Sequence, residues 1–167
     1  MTAVNPYAPP GAAVADVYQA SSETQPVRMW SGRGRVGRLR YLAHLMGGYF
    51  LVLAVAFGVG ALTGALGMEK ATTAAGVVIG GAYLVFVVLK SVQRSHDMDW
   101  SGWTALLALI PLVGLVWIFK AGTEGDNRFG APAPANTLGV KILALAVPII
   151  GLVGIVAAVL LPLLAKR

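Results

Sequence analysis

The densest chemistry in the chain is Arg94, His96, Asp97 and Asp99, four ionisable side chains within six residues. A histidine beside carboxylates can hold a proton, an anionic group or one side of a metal, and Arg94 adds a permanent cation. A second polar cluster, Glu124, Asp126, Asn127 and Arg128, stands among Gly122, Gly125 and Gly130. Arg94, His96, Asp97, Asp99, Asn127 and Arg128 form one candidate polar site only if the chain between the clusters returns to its starting side. The plainer reading of the first cluster is a cap, with Asp99 or Ser101 accepting the first N–H groups of the next helix and Arg94 balancing the acids. For the second it is glycine turns held by local Asp126 and Asn127 bonds.

The chain has two histidines, His44 and His96, and no cysteine. Disulfides, thiolate metal sites and cysteine nucleophiles are excluded. Two histidines without a thiolate give poor support for a metal site, and neither a metal nor a cofactor is expected. His44 lies about one turn into an apolar stretch. Such a residue is a candidate ligand or proton relay, set against a simple bond to a headgroup or neighbouring helix.

Arg28, Arg33, Arg35, Arg38 and Arg40 precede that stretch. Residues 32–37 fit the pattern G-x-G-x-x-G, but a dinucleotide loop needs a strand before it and an amphipathic helix after it. Here a Pro-containing polar tail precedes and a long apolar run follows. Arginines at lipid phosphates fit better: Arg33, Arg35, Arg38 and Arg40 are read as contacts to anionic headgroups. Arg35 and Arg38 would share a face if this stretch were helical. The net charge of +6 and pI near 10 then reflect a membrane rather than nucleic acid.

The elements that must position these residues are apolar. The chain is 57% hydrophobic and 12% charged, with a mean hydropathy of +0.74, whereas soluble domains carry about 25% charged residues. The charges fall outside the long apolar runs, so those runs lack the polar face of a soluble helix. Residues 1–29, with Pro6, Pro9, Pro10 and Pro26, read as a disordered tail and lack the basic and apolar regions of a signal peptide. Apolar segments follow at 41–67, 71–89, 100–119 and 141–164. Each is long enough to cross about 30 Å of hydrocarbon. Pro148 predicts a kink in the last, and 90–99 reads as a loop. The expected fold is an all-α membrane bundle of four transmembrane helices.

Counting Lys and Arg in the flanking loops sets the orientation. With both termini cytoplasmic, that side carries the five arginines, Lys90, Arg94, Lys166 and Arg167, against Lys70, Lys120, Arg128 and Lys141 outside. A re-entrant 100–119 segment gives an equally good balance, and Pro111 and Gly114 suit such a turn. Against it, Trp100 and Trp117 would stand about 25 Å apart on a straight helix, an anchor at each interface. The true span is favoured.

Three stretches resemble the bacterial membrane family known as domain of unknown function 805. They are Gly34-Arg35-Val36-Gly37-Arg38-Leu39-Arg40-Tyr41, the run from Arg94-Ser95-His96-Asp97 to Ser101-Gly102-Trp103, and Gly122-Thr123-Glu124-Gly125-Asp126-Asn127-Arg128-Phe129-Gly130. Ser95 departs from the Leu usual there. The resemblance implies a bacterial inner-membrane protein and no known activity. It divides the chain into a tail (1–29), a family-like membrane domain (30–132), and a linker with a helix beyond the common three-span layout (133–167).

The glycine steps Gly60–Gly64 and Gly76–Gly80, and Gly154–Ala158, suit close helix packing within one bundle or between copies. With no Asp, Glu, Lys or Arg inside the first three apolar segments, the expectation is an interaction or structural membrane protein rather than an enzyme. Its partners would be the bilayer, anionic lipid headgroups, and another copy or membrane protein. The alternative is a subunit of an oligomeric transporter or channel.

Overall fold

The computed structural model describes residues 24–165. Lys166, Arg167 and residues 1–23 of the expected disordered tail lie outside the described residues. The described part is helical, with one isolated bridge between Asn127 and Gly130.

The first apolar run forms α1, Arg38–Ala65, and the second forms α2, Glu69–Asp97. At 1.5 Å per residue each is more than 40 Å long, and each is long and apolar enough to cross a membrane. Gly67, at φ +67°, makes the tight connection. Three hydrogen bonds tie the antiparallel pair along its length. Thr63 and Thr72 share one at 2.5 Å beside the turn, the Tyr83 hydroxyl donates to the Leu45 carbonyl at 3.0 Å, and Tyr41 and Ser91 share one at 3.0 Å. Almost none of the apolar surface of these helices is buried within the molecule; Phe57 is 80% exposed. Hydrocarbon is the solvent that surface suits.

Residues 90–99 are not the loop expected from their polarity. The helix runs on to Asp97, burying Lys90, Ser91, Gln93, Arg94, Ser95 and Asp97. Lys90, Gln93, Arg94 and Asp97 share one face at helical spacing and Ser91 and Ser95 adjoin it, so the polar residues line the inside of the protein at this end.

Nor is 100–119 one straight helix. It is a 3-10 helix, Gly102–Leu109, followed by α3, Pro111–Phe119. Pro111 has no N–H to continue the first piece and holds Ile110 extended (φ −82°, ψ 119°). Gly114 lets the second piece return closely over the first: a Cβ there would stand 2.5 Å from the Ala108 carbonyl oxygen. The two arms are about 16 Å and 14 Å long, each about half a hydrocarbon core. Trp100 and Trp117, expected at opposite interfaces, pack edge to face with centroids 5.6 Å apart.

The last element is α4, Leu138–Ala165. It packs against α1 and leaves from the same end. Arg40 in the first turn of α1 donates to Ala135 just before α4, and Leu143 lies over Gly47. α4 therefore runs parallel to α1. Its far end lies away from residues 24–37.

The core sits where the helix ends meet. Val36, Tyr41, Met98 and Trp117 form its centre, with Leu45, Trp100, Ala108 and Ile118 packed on it. Residues 24–29, assigned to the tail, belong to this packed end. The Gln25 N–H donates to Pro132, its side chain to Phe129, and Arg28 accepts from Lys90.

Candidate functional site

The site is built on the last three turns of α2. Asp97 ends the helix and its carboxylate lies between two arginines. Arg94, one turn back, meets Oδ2 at 2.5 Å, and Arg35, from the segment before α1, meets Oδ1 at 3.3 Å. Both guanidinium groups are fully buried. Neither arginine stops at the carboxylate. Arg35 also donates to the carbonyls of Thr123 (2.7 Å), Gly125 (2.6 Å) and Gly130 (3.0 Å), and to the Thr123 hydroxyl. Arg94 donates to Trp117 at 2.8 Å and to Lys120. Asp97 thus anchors two planar donor forks, which in turn gather the carbonyls ending α3 and those of the glycine-rich loop.

Gly122 closes this arrangement. A Cβ on it would overlap the Asp97 carboxylate. The next residue, Thr123, donates its N–H to the Asp97 carbonyl at 2.8 Å. Asn127 donates to the His96 carbonyl and to the Thr123 hydroxyl, both at 2.8 Å. The two polar clusters therefore meet, which the broken 100–119 segment makes possible.

The remaining predicted residues take other places. His96 does not pair with Asp97. Its ring stacks on Phe129 with centroids 3.8 Å apart, and Nδ1 lies 3.3 Å from the Gly34 carbonyl. Asp99, expected as a cap, has φ +57° and makes an exposed ion pair with Arg128 at 3.1 Å; the 3-10 helix has no side-chain cap. Such an exposed pair contributes little. Arg35 and Arg40, assigned to headgroups, are 3% and 5% exposed and bond within the protein. The chain is extended at Gly37 and α1 begins at Arg38, so Arg35 and Arg38 share no helical face. Arg33 and Arg38 remain exposed. Among the described residues, no three His, Cys, Asp or Glu side chains converge to hold a metal ion.

Sequence reasoning missed Lys90 and Gln93. Lys90 is 0% exposed, donating to Arg28 at 2.6 Å and to Gln93 at 2.8 Å. The Gln93 amide donates to the carbonyls of Arg28, Ser31 and Arg33. Together they fasten residues 28–33 to α2. The available signal was the spacing 90, 93, 94, 97, one polar helical face directly continuing an apolar helix.

Apolar helices facing outward, closed at one end by a buried arginine–aspartate clamp, define a helical membrane protein. The chain belongs to the family described as Protein of unknown function (DUF805), whose model matches residues 29–131, the region from Trp30 to the clamp loop. It is 36% identical over 104 residues to inner membrane protein YhaH of Escherichia coli K12, covering 59% of this chain and 83% of that protein. It is also 42% identical over 48 residues to inner membrane protein YhaI of the same organism, covering 26% and 41% of the two chains. No solved structure matches the chain at a significant level.

Proposed function

We propose that the chain is a multi-pass structural or interaction protein of the bacterial inner membrane. In this reading α1, α2 and α4 cross the bilayer, and the 3-10 helix and α3 dip in and return. The observation that carries it is the Arg35–Asp97–Arg94 clamp. It commits both carboxylate oxygens and most of the arginine donors to joining chain segments, which is structural work. It also keeps the loop after α3 on the side from which α1 starts.

Charge supports the orientation. With this layout the clamp side holds the five N-terminal arginines together with Lys90, Arg94, Lys120, Arg128 and Lys141, and only Lys70, Lys166 and Arg167 lie opposite. The positive-inside rule then makes the clamp side cytoplasmic and the C-terminus periplasmic.

Single cysteines test this, because the native chain has none. In intact cells a membrane-impermeant maleimide is expected to reach Glu69→Cys and Arg167→Cys. It should reach Glu124→Cys only after the inner membrane is opened. Labelling of Glu124→Cys from the same side as Glu69→Cys would overturn the proposal.

A further inference from the structure

We propose that the polar cavity between residues 25–34 and the end of α2 binds a phosphate group, held by Arg28 and Arg33. The proposal goes beyond the membrane reading above and does not depend on its orientation.

The cavity encloses about 410 Å³, within the range of about 300–1,000 Å³ usual for small-molecule sites. Gln25, Arg28, Arg33 and Gly34 line it from the segment before α1, His96 from α2 and Phe129 from the glycine-rich loop. Bonds to neighbouring elements fix this lining. The Gln93 amide takes the carbonyls of Arg28, Ser31 and Arg33 at 3.0, 2.7 and 2.9 Å, and Lys90 adds a second bond to Arg28. Gln25 is tied to Pro132 and Phe129. His96 stacks on Phe129 and sets Nδ1 3.3 Å from the Gly34 carbonyl. Gly34 itself has φ +90°, and a Cβ on it would stand 3.0 Å from the Gln25 side-chain oxygen.

The backbone at Arg28 and Arg33 is thus committed to α2, while both side chains are exposed. Among the described residues neither arginine pairs with a carboxylate, and no Asp or Glu lines the cavity. Asp97 is taken by Arg35 and Arg94, and Asp99 by Arg128. Two cations held at one cavity without a counter-charge favour an anion. Phosphate suits them because its oxygens match the planar guanidinium fork. The level of the cavity also fits. His96 stands seven residues beyond Leu89, the end of the second apolar run, or about 10 Å. With α2 across a bilayer the cavity lies outside the hydrocarbon, at the headgroup layer. A lipid phosphate and a soluble phosphate ester both have access there.

The test uses the full chain purified in detergent and two probes. Glycerol 3-phosphate is titrated by calorimetry, and phosphatidylglycerol is followed by native mass spectrometry. One phosphate group per chain is expected to bind from at least one of them. Binding of glycerol 3-phosphate identifies a soluble ester as the source, and retention of phosphatidylglycerol alone identifies a lipid headgroup. Arg28→Gln and Arg33→Gln should each weaken binding about fivefold, and the two together at least about tenfold. Both side chains are exposed, so the unfolding temperature should not change. Lys141→Gln removes an exposed charge outside the cavity and should leave binding as it was. Binding of neither probe, equal binding of glycerate, whose charge is a carboxylate, or equal losses from Lys141→Gln and the double variant would each overturn the proposal. Cysteine labelling decides the orientation independently, so a failed orientation and an empty cavity give different results.

Discussion

The rings of Trp100 and Trp117 meet edge to face, with centroids 5.6 Å apart. On a straight helix those residues would be separated by about 25 Å. Their contact is the fold-back of the 100–119 segment expressed as one distance. Trp117 is 1% exposed and donates its indole N–H to Ser95 at 2.9 Å, so the returning arm is fixed to α2 by both packing and a hydrogen bond. We predict that Trp117→Phe, keeping most of the packing, costs about 0.5–1.5 kcal/mol. Trp117→Ala should cost about 3–5 kcal/mol. Thermal unfolding in detergent measures both, and a Trp117→Phe variant as stable as the native chain would separate the indole bond from stability.

Asp97 is the sole carboxylate described between Arg35 and Arg94, and the three charges are buried together. Removing it leaves two buried cations facing each other. We predict that Asp97→Asn costs about 3–5 kcal/mol. Arg128→Ala, which breaks the exposed pair to Asp99, a hydrogen bond to the Asp99 carbonyl and a contact over the Phe129 ring, should cost about 0–1 kcal/mol. If both substitutions lower the unfolding temperature equally, the clamp does not organise this end of the protein.

Residues 41–67 and 71–89 were legible as membrane-length segments because their apolar residues leave no polar face. The polar end was less legible for two reasons. Lys90, Gln93, Arg94 and Asp97 look solvated when polarity is equated with loops, yet their spacing places them on one inward face. Arg35 looks like a headgroup contact because its partners, Thr123, Gly125 and Gly130, are about ninety residues away. Long-range backbone acceptors leave no mark on local composition. The fold-back was visible in Pro111 and Gly114, but the tryptophan spacing argued for a span. A spacing measured along a helix holds only if the helix is continuous.

Gly114 tests that continuity. Its missing side chain leaves room for the Ala108 carbonyl, 2.5 Å from where a Cβ would stand. We predict that Gly114→Ala destabilises by about 1–3 kcal/mol through overpacking of the hairpin. Gly58→Ala, in α1 with nothing within 4 Å of an added Cβ, should be neutral or slightly stabilising. Equal unfolding temperatures for the two variants would argue against the close return of α3.

Gly122 allows the clamp itself to be tested without changing a charge. A Cβ there would overlap the Asp97 carboxylate and lie 3.1 Å from the Asp97 carbonyl oxygen. Gly122→Ala must therefore move the carboxylate away from Arg35 and Arg94, or lift Thr123 from the end of α2. Either route disturbs bonds that join the glycine-rich loop to the helix, and we predict a cost of about 1–3 kcal/mol. The two routes separate in an Asp97→Ala background, where the overlapped oxygens are gone. If displacement of the carboxylate dominates, Gly122→Ala then adds less than about 0.5 kcal/mol, and the pair is strongly non-additive. If the full cost persists there, the glycine serves the Thr123–Asp97 backbone bond, and the arginine clamp is not what requires it.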